Sequence, residues 1–543
     1  MNATDRTPVL IVGGGPVGLA LAADLGWRGV SCILVEQNDG TIEHPRANAV
    51  NSRSMEFCRR WGIADAVRGA GAPPDFPPTV LYVTRLEGYE IARIERPSHG
   101  GAGTLPNTPE RPQRCNQLWF DPILRDLAAG FPTVDLRYGC RFEGYERTDG
   151  GIVARVHDTA SGQTETIEAR YLVACCGGQS AIPKSIGSRM QGTADLWYNL
   201  NIFIRVPELW TYHDKGKAAL TQFVAPEGIF ASLVEIDGDE LWRLAIRRES
   251  EPPDLDAVDV EAFVRRTLGP DIPYELVSIK PWTSRDLVAD KFQDGPVFLA
   301  GDAAHQNPPA GGFGMNTGLG DAVDLGWKLW ATLDRWGGPG LLASYGAERR
   351  PVAERNVGEA TDNESYAPGV YEAVLDDTPE GAEARREIGE RIVAGKTKGY
   401  ISDGIALGYR YDPSPIVVVD ATPAPADSIM SYVQTSRPGS RAPHAWLADG
   451  RSTLDLFGRG FVLLRFTDVS SGDALVEAAA ARGVSVDVID IDDPAIAQIY
   501  ETNLVLVRPD GHVAWRGAAD PDDALAVVDR VRGAASVAGE LLG

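Results

Sequence analysis

The sequence predicts an α/β fold: a discontinuous, Rossmann-like dinucleotide-binding domain, an antiparallel-sheet domain inserted into it, and a separate C-terminal unit. Three observations predict it. A strand, a glycine-rich turn, a helix, a second strand and an acidic residue follow one another within the first 36 residues. Two more apolar runs that end in glycine, the mark of buried parallel strands, lie far downstream at 171–177 and 296–301. Between them the pattern changes to alternating apolar and polar residues, as in half-exposed antiparallel strands.

The elements follow in order. Val9-Leu10-Ile11-Val12 is four β-formers in a row. Gly13-Gly14-Gly15-Pro16-Val17-Gly18 matches Gly-x-Gly-x-x-Gly, Leu19 to Trp27 reads as a helix, and Ser31 to Val35 as a strand closing at Glu36. Gly13 makes the tight turn, Gly15 lets the backbone approach a pyrophosphate, and Gly18 lets helix and strand pack closely. The helix start offers unpaired N–H groups to the phosphates. Glu36, 18 residues after Gly18, is placed to accept ribose hydroxyls.

Val9 to Ala23 also passes for the apolar core of a leader peptide. Five glycine and proline residues inside it, and its continuation into Asp24, argue against that reading. The next strand, Tyr171 to Ala174, runs into Cys175-Cys176-Gly177-Gly178. A third, Pro296 to Ala300, closes on Gly301-Asp302-Ala303-Ala304-His305. Asp302 stands at a strand's carboxyl end, where doubly wound sheets bind ligands; capping the next helix is its plainer role. Pro308 to Asn316 is a glycine-rich loop opening a helix predicted from Thr317 to about Leu333.

Composition narrows the partners. The chain has 543 residues, 43% hydrophobic and 24% charged, with 52 Lys plus Arg against 76 Asp plus Glu. A net charge of −24 repels nucleic-acid backbones and anionic membranes. Six cysteines without Cys-x-x-Cys and seven histidines without ligand spacing predict a reduced, cytoplasmic protein with no metal centre.

At Gly301-Asp302-Ala303-Ala304-His305, with the Pro-Pro and Gly-Met-Asn blocks after it, the chain resembles the single-component FAD-dependent aromatic hydroxylases, typified by para-hydroxybenzoate and phenol hydroxylases. The nearest branch is that of phenol and dichlorophenol hydroxylases and their polyketide-tailoring relatives. Pro45-Arg46-Ala47, the segment from Gln117 to Asp121, Gly408 to Pro415 and Arg437 to His444 add to it. The resemblance implies FAD, O2 and NADPH or NADH, and hydroxylation of a phenolic or polycyclic aromatic through a flavin C4a-hydroperoxide. It implies cofactor contacts at Gly13, Gly15, Gly18, Glu36, Arg46, Gln117, Asp302, Pro309, Gly312, Gly314, Met315 and Asn316. Pro309 and Arg46 stand nearest the chemistry.

Where the family usually has Asp-Gly after the third strand, this chain has Cys176-Gly177, and Pro183 stands in place of a later arginine. That departure bears on nicotinamide use. Two other readings therefore stay open at this stage: a Baeyer–Villiger oxygenase or oxidase, and a non-catalytic flavin-binding partner.

The expected layout is an FAD-binding domain at 1–72, 113–190 and 283–400, a substrate domain at 73–112 and 191–282, a linker at 401–440 and a C-terminal domain at 441–543. Tyr198, His213, Gln222, Phe223 and Trp282 are the candidate pocket residues. Glu372 to Val393 reads as one acidic amphipathic helix with a solvated face. The C-terminal unit looks thioredoxin-like without Cys-x-x-Cys, and its expected role is scaffolding or stabilising a homodimer.

Overall fold

The computed structural model describes residues 4–96, 104–248, 252, 254–255, 258–366, 369, 372–466 and 471–535. Parts of the predicted 73–112, 191–282, 283–400 and 441–543 segments thus lie outside the described residues.

The fully buried run Val9–Val12 makes Thr4–Val12 the middle of the first sheet, flanked in parallel by Thr164–Ala174 and Cys32–Glu36. Val297–Leu299 and Val134–Tyr138 continue the parallel order on either side. The hairpin Cys140–Thr148 and Gly151–Asp158 joins it through Thr164–Ala174. Helix Pro16–Trp27 starts three residues earlier than predicted, because proline is pre-organised for a first helical position.

The second sheet has eight strands in the order His305–Gln306, Glu275–Ala289, Met190–Arg205, Leu241–Arg248, Gly228–Glu235, Leu220–Ala225, Val80–Val83 and Glu90–Ile94. Its alternation sorts two faces. Ile279, Ile202, Leu244, Leu233 and Leu81 pack one core. The intervening row, Lys280, Asn201, Ala245, Ser232 and Gln222 in register, turns to the other side. His305–Gln306 belongs to this sheet although it follows directly on the first, so the 301–305 turn joins the two.

The acidic segment is not one helix. Thr378 caps Pro379–Lys396, and a short 3-10 turn, Glu372–Leu375, precedes it. Proline tolerates a helix's first turn but not its interior. Nor is the helix only a solvated face: Ile388 and Ile392 are buried against Val80, Tyr82 and Ile94. The expected linker at 401–440 is packed at its two ends, with helix Asp403–Leu407, buried Tyr411, Ile416 and Val417, and buried 435–440, while 419–433 is largely exposed.

The C-terminal unit centres on Phe461–Arg465, parallel to Val486–Asp490 and antiparallel to Leu504–Val507, with Val513–Gly517 at the edge. It docks through buried charges. Arg441 reaches Glu56 at 3.0 Å, and Arg53 bonds both Glu56 and the Asp510 carbonyl at 2.8 Å. Arg508 joins Glu348 at 2.6 Å and Asp324 at 3.1 Å, with Lys328 bridging the same two carboxylates. These partners lie on helices Ser52–Arg60, Phe313–Leu333 and Ser344–Ser365.

Candidate active site

A cleft of about 2280 Å³ runs from the glycine turn of the first sheet to the polar face of the second. Ordinary ligand pockets occupy roughly 300–1,000 Å³, so this one has room for a dinucleotide and a second molecule.

The dinucleotide end is built from main chain. Gly13 has φ +113°, and a Cβ there would sit 2.4 Å from the Cys175 carbonyl. A Cβ on Gly18 would come within 2.0 Å of the Gly13 carbonyl; Gly18 sits behind the cleft and serves helix–strand packing. Gly15 faces open space, with nothing within 4 Å of where a Cβ would stand. It begins its helix with no side-chain cap, and Gly312, left-handed at φ +68°, begins Phe313–Leu333 in the same way. Both helices therefore present unpaired N–H groups to the cleft. Glu36 accepts the Gly14 N–H at 2.8 Å and the Asn38 N–H at 2.9 Å, fixing its carboxylate at the rim.

Arg46 is exposed to the cleft, and its loop is pinned from three sides. Gln117 donates its backbone N–H to the Ala47 carbonyl and accepts the Ala47 N–H on its side chain, both at 3.0 Å. Arg243 donates to the Arg46 carbonyl at 2.7 Å. Asn48 donates to the Glu235 carbonyl at 2.8 Å, beside the Arg114–Glu235 ion pair. His44 bonds Ser278 at 2.9 Å; burial, then Arg243, Lys280 and Arg46, lower its pKa to about 4. One turn along from Gln117, Asp121 is buried with one oxygen unbonded, and burial pushes its carboxyl up to about 7.

Asp302 lies deep in the protein yet exposes its side chain to the cleft. Burial raises its pKa, opposed by His305 and Arg46. Pro309 is at the cleft, and its carbonyl accepts the Gly312 N–H at 3.0 Å. Gly314 and Met315 line the cleft too. Asn316 lines the cleft as well, and its side chain is held by the protein. Its oxygen accepts from Asn51 and Ser54, and its amide donates to Ala49 and Gly312, so all four valences go to protein.

Of the candidate pocket residues, Gln222 and Trp282 line the cleft. Phe223 does not: one residue along a strand it faces the opposite side and is fully buried in the second sheet's core. Tyr198 fails for the same reason, since its neighbours Asn199 and Asn201 are the cleft-facing residues of that strand. His213 follows a 3-10 turn away from the cleft and accepts the Lys215 N–H. Arg96, Arg243, Lys280 and Tyr400, the last bonded to Tyr82 at 2.9 Å, line the cleft without a sequence signal to mark them. They come from separate elements and carry no local motif.

Cys176 donates to Ser180 at 2.8 Å, and burial raises the pKa of both Cys175 and Cys176. Neither thiol is activated for redox chemistry. Among the described residues no cluster of three potential metal ligands occurs, and no helix is long and apolar enough to cross a membrane.

Residues 6–360 match the family model described as FAD binding domain, and residues 435–535 match aromatic-ring hydroxylase, C-terminal. Tetracenomycin A2 monooxygenase-dioxygenase of Streptomyces glaucescens is 32% identical, covering 96% of this chain and 95% of that protein. Phenol 2-monooxygenase of a Pseudomonas species is 30% identical over 96% and 92%. Among solved structures, RebC soaked with chromopyrrolic acid and holding 7-carboxy-K252c superposes with a TM-score of 0.92 at 41% identity, over 98% of this chain and 100% of that one. Aklavinone-11 hydroxylase with FAD and aklavinone gives 0.82 at 28%, over 98% and 99%.

Proposed function

The chain belongs to the FAD-dependent aromatic-ring hydroxylases, and on that premise we propose that it oxygenates a polycyclic aromatic substrate with O2 and a nicotinamide reductant. One observation carries the reading: a cleft wide enough for two ligands, with a dinucleotide cradle at one end and a polar sheet face at the other. The enzyme is a flavin-dependent monooxygenase, and solved relatives similar to it hold 7-carboxy-K252c and aklavinone.

The residues fit FAD. Gly15 leaves an open cradle for the pyrophosphate, with the Pro16–Trp27 helix start aimed at it. Glu36 would take ribose hydroxyls and Asp302 ribityl hydroxyls. The Gly312–Met315 backbone would face the pyrimidine edge, where N–H groups favour negative charge. When bound, the flavin supplies the electron transfer and the oxygen chemistry, and the protein supplies binding, orientation and electrostatics.

The chain's own part is placement. Gln117 and Arg243 hold the Arg46 loop, so that its cation stays at the cleft. The Pro308–Pro309 corner lines the cleft and would stand between cofactor and substrate. Asn201, Ser232 and Gln222 offer hydrogen bonds to ring oxygens, and Trp282 offers an aromatic face. With Cys176 where the family has aspartate, reduction by NADPH or NADH proceeds without that carboxylate.

The test is anaerobic. Holoenzyme is mixed with NADPH, then NADH, with and without a panel of fused-ring phenols, and flavin bleaching is followed. Bleaching accelerated by one phenol, and a product heavier by one oxygen in air, is the expected result. No bleaching by either nucleotide, while dithionite still reduces the flavin, overturns the nicotinamide part; a product with an expanded ring overturns hydroxylation.

A further inference from the structure

The second sheet brings cations to the cleft and no carboxylate. Its strands contribute Arg243, Lys280 and Arg285 to the lining, but neither aspartate nor glutamate. The chain as a whole carries a net charge of −24. Carboxylates that do line the cleft stand on other elements, among them Glu36 and Asp302 at the dinucleotide end and Glu364 and Asp403 on later helices.

Register sets two of these cations astride one strand. Arg243 pairs with Phe203 and Lys280 with Asn201, on either side of Met190–Arg205. Residues two apart on a strand share a face, so both side chains rise on the cleft side. Two strand spacings of about 4.8 Å and one two-residue step of about 6.7 Å put their Cα atoms roughly 12 Å apart. Two long side chains close that distance around one planar molecule lying over Asn201. Arg285 is tied down elsewhere, to the Ala194 carbonyl at 3.1 Å and the Gln306 side chain at 3.2 Å.

Neither Arg243 nor Lys280 has a counter-charge among the described residues. Arg243 Nη1 donates to the Arg46 carbonyl at 2.7 Å, and its Nε is buried without a partner. Burial, and then Arg114, lower its pKa to about 10. Lys280 is exposed to the cleft and enters no ion pair there. The buried Glu235 of the same sheet is already bonded to Arg114 at 2.9 Å. The arginines that dock the C-terminal unit show the contrast: Arg53 and Arg441 share Glu56, and Arg508 holds Glu348. A cation withdrawn from water without a partner is costly, and an incoming anion removes that penalty.

We propose that the sheet end of the cleft takes its aromatic substrate as an anion, with the oxyanion held between Arg243 and Lys280. The proposal rests on the hydroxylase reading above. A ring carboxylate and an ionised ring hydroxyl both supply such an oxyanion. A wall lined by one sign of charge also focuses the field and raises the local concentration of the opposite sign, so the cleft gathers anionic ring systems.

The test uses the FAD-loaded enzyme and three probes. 3-Hydroxy-2-naphthoate and its methyl ester differ by one charge, and alizarin changes colour when a ring hydroxyl ionises. For a carboxylate site, the acid is expected to bind at least tenfold more tightly than the ester, with the preference shrinking as salt is raised. For an ionised hydroxyl, acid and ester bind alike, and alizarin binds in its anionic colour with ionisation favoured at least tenfold. In both cases Lys280→Gln weakens the anion selectively and Lys280→Glu reverses the preference, with FAD content and melting temperature held. Arg243→Lys, which keeps the charge, is expected to retain most of the preference. Equal binding of acid and ester together with alizarin bound in its neutral colour overturns the proposal, and so does a preference that Lys280→Glu leaves untouched. Wild-type protein that takes up no FAD overturns the functional reading instead.

Discussion

The first sheet and the second sheet line one cleft with different materials. The first offers main-chain N–H groups at glycine turns and helix starts, where the identity of the residue matters because it has no side chain. The second offers side chains, one from every other position of its strands, where neighbours along the chain face opposite ways. A wall of backbone tolerates almost no substitution at its glycines. A wall of side chains tolerates many, each altering what the cleft prefers.

The largest expected effect breaks the first wall. Gly18→Val forces carbons onto the Gly13 carbonyl, 2.0 Å from where its Cβ would stand. Loss of all FAD retained on gel filtration is the expected result, with thermal stability reduced by about 3 kcal/mol or more. On the second wall, adjacent residues should separate cleanly. Phe223→Ala empties a core position and should cost about 3–5 kcal/mol in denaturant unfolding while leaving ligand affinity per folded molecule unchanged. A weakened ligand affinity there would mean the two faces are not independent.

Between the walls sits Asp121, whose carboxyl is raised from 3.8 to about 7 by burial. A raised acid is bound more tightly to its proton in the folded state, so the apoprotein loses stability as pH climbs from about 4 to about 7, and the loss then levels off. Each tenfold gain in proton affinity corresponds to about 1.4 kcal/mol, so the difference between wild type and Asp121→Asn should change by about 2–4 kcal/mol across that window. Parallel stability curves for the two proteins would show that the carboxyl is not shifted. The smallest effect belongs to Gln222→Leu, which removes one hydrogen-bonding group from the cleft face. It should weaken substrate binding roughly fivefold, about 1 kcal/mol, with FAD affinity and melting temperature unmoved.

The same contrast explains what can be read from the sequence. Gly13, Gly15, Glu36, Asp302 and the Pro308–Met315 loop are legible because a phosphate-binding turn needs particular residues at fixed local spacing. Gln222 and Phe223 are equally plausible as polar and aromatic pocket candidates; only the register across the sheet decides between them. Asn316 falls between. Its place in the motif is legible, but its four bonds to the Ala49–Ser54 stretch and Gly312 depend on a contact 265 residues away. The contacts of buried His305 are hidden for a similar reason: it stands in a motif, while Asp321, 2.8 Å from its ring, and Arg349, which donates to Asp321 at 2.8 Å, are ordinary helix residues until the helices pack. The packed ends of 401–440 are hidden because Tyr411, Ile416 and Val417 carry no regular periodicity, while its proline-rich middle is as exposed as its composition suggests.

The C-terminal docking also imposes a timetable. Glu56 meets Arg441 across 385 residues of chain. At roughly 5–20 residues per second of synthesis, the carboxylate waits about 20–80 s for its partner. Arg508, which joins Glu348 across 160 residues, arrives later still. During that interval Glu56 has Arg53 and Glu348 has Lys328 as counter-charge, and the second arginine of each set is still to come. The buried charge set that joins the C-terminal unit to the rest is therefore completed only near the end of synthesis.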